Sequence, residues 1–138
     1  MAEGAASYVN EFLLFTYIKE GKYEKSPSFD RKLRDVMRWK MESVQGMLLN
    51  CPNFKLEDLN YGNVCSPYDF GAWGVAYLLN KIDNKYAMQE IFWPNINDMG
   101  YYPAFEKTFG LTFEEFNNEF HEFLKLSIDD QLLIIPEL

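Results

Sequence analysis

The polar and apolar positions of this chain follow a period near 3.6 residues almost from end to end, which predicts helices and little else. From Ala2 to about Ile18, Val9, Phe12, Leu13 and Tyr17 fall near one face. GKYEKSPS, with Gly21 and Pro27, then breaks the pattern. A second, longer helix is predicted from a Ser28 cap to about Asn50, with Phe29, Leu33, Val36, Met37, Val44, Met47 and Leu48 on its apolar side. Its opposite side carries Asp30, Arg34, Asp35, Arg38, Glu42 and Gln45. KLEDLNYGNVCS reads as one short helical turn inside a loop.

The second half is marked by capping signals. Ser66 is a natural N-cap, Pro67 suits the first helical position, and Asp69 lies three residues after the cap. NKYAMQEIFWPNI reads as a short helix stopped by Pro94, and GYYPAFEKTFG as another stopped by Gly110. Thr112 and Glu115 form a capping box ahead of Phe113, Phe116, Phe120, Phe123 and Leu124. Ser127 and Asp130 repeat that logic before QLLIIPEL. No strand-like alternation persists and no internal repeat is evident. The pattern predicts an all-α fold, one domain over residues 1–138.

Composition narrows the function classes. Hydrophobic residues make up 48% and aromatics 17%, a folding composition with ample core material. A chain of this length buries about 68% of its unfolded surface, so it needs no staple to fold. A formal net charge of -8 argues against nucleic acid, and equally against an anionic membrane surface. No run approaches the roughly 20 apolar residues of a membrane span. The first residues lack the basic-then-apolar order of a signal peptide, and nothing in the sequence fixes the compartment. Cys51 and Cys65 suit either a bridge or two free thiols. With one histidine, His121, an all-protein Cys/His zinc site cannot be built from this chain alone.

Three stretches carry candidate chemistry. In MAEGAASYVN, Glu3 precedes Gly4, Ala5, Ala6 and Ser7, small residues that would let a second helix come close. Taken alone, Glu3 is a carboxylate favoured by the dipole of a first helical turn. In SPYDFGAWGVAYLLNKI, Tyr68 stands at a helix N-terminus ahead of Asp69 and Gly71. YPAFEKTFGLTFEEFNNEFHEFL supplies Ala104, Phe105, Glu106, Phe109, Gly110, Thr112, Glu114, Glu115, Phe116, Glu119 and Phe120, a structural run without a catalytic group.

Together these stretches resemble the gluzincin zinc metallopeptidases, of the peptidase-MA-like or aminopeptidase type. The resemblance covers the first ten residues and most of Ser66 to Leu124; the Ser28–Asn50 helix has no matching signature. It implies that Glu3 is the third zinc ligand, borne on the helix after the one with the paired histidines. It implies that Tyr68 donates a hydrogen bond to the oxyanion formed at the scissile carbonyl. Phe70 stands where the family usually has lysine. The His-Glu-x-x-His motif, which binds zinc and supplies the general base, is absent, and the chain begins where that helix would end. The expectation is therefore a domain resembling the C-terminal helical half of a gluzincin catalytic domain. It would come from a truncated frame, a trimmed product or a degenerate homologue. No cofactor is expected in this chain alone, zinc and a peptide substrate belonging to the intact enzyme.

A domain cut beside its catalytic helix should leave apolar surface open around Ala5, Ala6 and Val9 and on the helix after Tyr68. The expected remedy is a homodimer or higher oligomer. A rival reading is a non-enzymatic all-α protein-interaction module. Another is a small enzyme using a carboxylate pair, Glu106 with Glu114 or Asp129 with Asp130. His121, between Glu119 and Phe123 on the late helix, reads as a surface or boundary residue.

Overall fold

Apolar residues lie all round one helix, Pro67–Lys81, and the rest of the chain wraps it. The computed structural model describes residues 2–26, 29–62 and 64–138. In chain order the helices are α1 (Ala2–Lys19), α2 (Leu33–Leu48), α3 (Pro67–Lys81), α4 (Trp93–Met99), α5 (Tyr101–Phe109), α6 (Phe113–Phe123) and α7 (Ile128–Leu132). Among the described residues no strand occurs, and the chain forms one all-α domain. No helix among them is long and apolar enough to cross a membrane.

Helix α3 is flanked chiefly by α1 and α2, and by the aromatic face of α6. Ten of its residues are buried, including Phe70, Trp73 and Leu78. The Trp73 indole, fully buried, donates to the Met37 carbonyl at 3.0 Å, so its one polar group is satisfied inside α2. Phe116, Phe120 and Phe123 present their rings to Tyr77 at 5.1–6.2 Å. Each large apolar side chain so buried contributes about 1.5–3 kcal/mol.

The capping signals hold. Thr112 Oγ1 accepts from Glu115 N–H at 3.1 Å while Thr112 N–H donates to the Glu115 carboxylate at 2.7 Å. Ser66 Oγ accepts from Tyr68 N–H, and Ser127 Oγ from Asp130 N–H. Gly110 closes α5 in the left-handed region, φ 72°.

Two element boundaries differ from expectation. Helix α2 begins at Leu33, and the proposed Ser28 cap lies outside the described residues, as do Met1, Pro27 and Asn63. Lys32 is extended, and its N–H donates to the Asp35 carboxylate at 3.0 Å, which fixes the start there. Phe29 is left out of the helix and packs on Phe15, ring centroids 5.4 Å apart. Pro94, expected to stop a helix, instead sits in the first turn of α4 and the helical run continues through it. A single wide turn over Met88–Phe92 precedes it, Trp93 N–H reaching back five residues to the Met88 carbonyl.

The polar side of α2 is not simply solvated. Arg34 Nε donates to the Ile135 carbonyl at 2.9 Å and its Nη1 to the Glu137 carboxylate at 3.0 Å. Arg38 pairs with Asp129, and Leu33 N–H donates to the Leu138 carbonyl. The segment after α7 is thereby strapped to the start of α2.

The apolar faces expected to stand open are covered. Ala5 and Val9 are 1% and 5% exposed, and α3, the main partner of α1, has no open apolar face beside them. Of the three α1 residues named for an exposed patch, only Ala6 is exposed. The two helices satisfy each other, so this face supplies no ground for self-association.

Cys51 and Cys65 are bridged, Cα atoms 6.5 Å apart, joining the end of α2 to the residue before the α3 cap. The closed loop has a sequence separation of 14, for which chain entropy gives a stabilisation of about 3 kcal/mol. Cys51→Ser with Cys65→Ser is expected to lower the urea-unfolding free energy by about that amount. An unchanged midpoint would show that the loop is already closed in the unfolded chain.

Burial, and then the hydrogen bond to Glu119, pushes the Tyr77 phenol up to about 12. The folded state thus holds this proton more tightly than the unfolded chain, whose tyrosine titrates near 10. The contribution is complete below pH 10 and is lost as pH rises toward 12. Burial raises Tyr8 and Tyr101 as well, so Tyr77→Phe is expected to flatten only part of the alkaline fall in melting temperature.

Candidate functional site

The site begins with two glycines. Gly4, one turn into α1, lies directly against Gly71 of α3: a Cβ on Gly71 would sit 2.7 Å from the Gly4 Cα. Only hydrogens separate the two backbones at this crossing. Glu3 precedes Gly4, and Tyr68 lies three residues before Gly71, so the crossing carries both toward the same end of the helix pair. The two glycines of the sequence pattern are therefore a packing device that sets the spacing of the candidate residues.

A third residue joins them. Tyr61, from the loop closed by the disulfide, donates its hydroxyl to Glu3 Oε1 at 2.9 Å. Its ring meets that of Tyr68 edge-on, centroids 5.7 Å apart. Tyr61 therefore connects Glu3 to Tyr68. Glu3 is half-buried, and Tyr61 and Tyr68 are 69% and 44% exposed, so the cluster opens to solvent.

The electrostatics follow from these contacts. The Glu3 carboxyl is held below the usual range, first by hydrogen bonding to its own backbone N–H at the start of α1 and then by the Tyr61 hydroxyl. Hydrogen bonding with Tyr68, and then with Glu3, pushes the Tyr61 phenol above its ordinary value. The cluster thus sets a carboxylate acceptor beside the Tyr61 hydroxyl, which donates to it.

Behind Tyr68, Asp69 forms an ion pair with Lys40 of α2 at 3.3 Å, with side chains only 15% and 10% exposed. This pair fixes the first turn of α3 against α2, so the backbone that carries Tyr68 is held from below.

The other candidates fall elsewhere, and Asp129, Asp130 and His121 have structural partners. Asp129 is taken by Arg38, and Asp130 by the Ser127 hydroxyl at 2.6 Å, so this pair organises the start of α7. Glu114 belongs to the first turn of α6, which begins four residues after α5, the helix of Glu106, has ended. His121 Nε2 lies 2.6 Å from the Phe54 carbonyl, and since a carbonyl only accepts, that nitrogen carries the proton. It pins the loop to α6, along an open groove lined by Lys55, Glu57, Asn117 and Lys125, away from Glu3. Among the described residues no group of three His, Cys, Asp or Glu side chains is placed to hold a metal ion.

Sequence reasoning singled out Glu3 and Tyr68 and did not name Tyr61, which joins them in the structure. Its only signal is a tyrosine opening an Asn-flanked Gly62 turn between two cysteines, and its partner is 58 residues away. No family model, curated protein or solved structure matches the chain.

Proposed function

We propose that this chain is the C-terminal helical portion of a zinc-metallopeptidase-like protein, inactive by itself in peptide hydrolysis. The observation that carries the reading is the meeting of Glu3 and Tyr68 through Tyr61 at a glycine-on-glycine helix crossing. That arrangement supplies two of the parts such an enzyme uses: a carboxylate at a helix start, and a phenol able to hydrogen-bond a developing oxyanion. Two imidazoles and a general-base glutamate would come from a preceding helix.

Zinc does not fit this chain alone. Glu3 offers one carboxylate, one of whose oxygens accepts from Tyr61, and a protein zinc site needs three or four donors. No catalytic step is therefore assigned to the isolated chain. Calorimetry with zinc chloride on the purified protein is expected to show no stoichiometric site. Tight one-to-one binding would mean that other ligands had been overlooked.

Association with a second copy remains part of this reading, on a different surface from the one expected. Tyr61 and Tyr68 keep exposed rings, and Val64 of the same loop is 72% exposed. In an intact enzyme the preceding helix would cover them; without it, a dimer through these residues would. Sedimentation velocity at high micromolar concentration is expected to show dimer, and a clean monomer would remove this part of the proposal. The same exposed rings are what an all-α interaction module would present, and that reading makes no use of Glu3.

A further inference from the structure

The two sulfurs of the Cys51–Cys65 bridge sit in different surroundings. Cys51, just beyond α2, is partly exposed, and the bridge lines an open cavity of about 330 Å³. Cys65 is fully buried, its Sγ 3.5 Å from the Met47 carbonyl oxygen. A thiol at Cys65 would therefore have an acceptor already in place, and a thiol at Cys51 would border the cavity. The fold accommodates the reduced pair as well as the bridge.

The elements that the bridge joins do not depend on it alone. Helices α2 and α3 are also tied by the Lys40–Asp69 ion pair and by the Trp73 indole on the Met37 carbonyl. The first half of the loop between the cysteines is fixed to α6. There the Phe54 carbonyl accepts from His121, Leu56 N–H donates to Asn117 Oδ1 at 3.2 Å, and the Asn117 amide donates to Glu57 at 2.8 Å. Phe54 and Leu56 belong to the core. Residues 60–62 are exposed, and are held by less. Gly62 N–H closes a turn on Asn60 Oδ1 at 3.0 Å, and Tyr61 reaches Glu3 and the Tyr68 ring. A segment with so few buried contacts opens more readily than the core, and a cross-link restrains it by limiting its open conformations.

We infer that the Cys51–Cys65 bridge is a redox-sensitive clasp: a dithiol reduces it in the folded protein, and reduction loosens residues 60–62 while the helices and residues 54–57 stay in place. One thiolate of the dithiol attacks Cys51 Sγ, the more accessible sulfur. The Sγ–Sγ bond breaks, and Cys65 leaves as a thiolate that takes up a proton. The second thiolate of the dithiol then attacks the first across the mixed disulfide, and Cys51 leaves and is protonated in turn. Two electrons pass to the bridge, and the dithiol departs as a disulfide. The inference makes no use of the peptidase-like reading.

The test is NMR hydrogen exchange on the full chain, oxidised and then in dithiothreitol without denaturant. Alkylation and mass spectrometry count the thiols, and circular dichroism reports the helices. Two thiols and an unchanged helical signal are expected. Gly62 N–H should exchange about tenfold faster after reduction, while Leu56 N–H, held by Asn117, keeps its protection. Brief alkylation should label Cys51 before Cys65. Oxidised glutathione, taking the two electrons as it becomes two thiols, should restore slow exchange at Gly62. Cys51→Ser with Cys65→Ser should show the reduced pattern and no response to dithiothreitol. A bridge reduced only in denaturant, or a helical signal lost on reduction, would overturn the inference. So would equal acceleration at Leu56, or unchanged exchange at Gly62 once both thiols are counted.

Discussion

Asp69→Ala is expected to destabilise the protein by about 3–5 kcal/mol, because it strands the Lys40 ammonium in a site where its side chain is only 10% exposed. The pair joins α2 to the first turn of α3, so the loss should appear as a lower urea midpoint with an unchanged slope. The reason is the asymmetry between removing a pair and breaking it. Both charges have lost most of their water, and each is tolerated because of the other. Replacing both, Lys40→Met with Asp69→Leu, removes the stranded charge and should recover most of the loss. If Asp69→Ala alone proves neutral, Lys40 reaches solvent and the pair is not what fixes α3. Tyr68 is the neighbour of Asp69, so the single variant should also broaden the Tyr68 resonances.

Gly4→Ala should cost about 3 kcal/mol, the upper end of the usual range for overpacking. The added methyl would fall on the backbone of Gly71, its carbonyl carbon nearest, and backbone cannot swing aside as a flexible side chain can. Gly71→Ala meets the Gly4 Cα at 2.7 Å and should behave alike. Relief requires α1 and α3 to separate, which would loosen Ala5, Val9 and Phe12 against the central helix. The control is Gly46→Ala in α2, where a Cβ meets nothing within 4 Å. There alanine should be stabilising by about 0.5–1 kcal/mol, from helix propensity alone. Thermal unfolding of the three variants side by side separates close approach from propensity. Equal effects at Gly4 and Gly46 would mean that the crossing is looser than described.

The parts of this fold that could be read from sequence are those fixed by residues three or four apart. Thr112 with Glu115, Ser66 with Pro67, and Ser127 ahead of Asp130 each close a helix start within one turn, so the reader needs no distant partner. The apolar stripe of α6 is legible for the same reason. What failed depended on tertiary contacts. The Ser28 start expected for α2 gave way to Leu33, with Phe29 left outside the helix to pack on Phe15 of α1. Pro94 read as a stop, yet the wide turn over Met88–Phe92 runs straight into α4 with Pro94 in its first turn, a continuation that local spacing does not announce.

The site divides along the same line. Glu3 and Tyr68 were visible because small residues and a cap surround them locally. Their meeting was not visible, since it requires Gly4 to find Gly71 across 67 positions and Tyr61 to arrive from a bridged loop. The expectation of an open apolar face failed because Ala5 and Val9 were assigned to a missing helix, although α3 of the same chain already covers them.

The proposed function takes Glu3 and Tyr68 as half of a zinc-peptidase-like site. The most direct measurement is to sequence the transcript across the codon for Met1 and read the frame upstream of it. The account predicts an open frame, encoding His-Glu-x-x-His on a helical stretch shortly before Glu3. Stop codons in that frame, with no trace of the histidine pair, would contradict it and leave a helical domain whose two phenols and carboxylate serve another purpose.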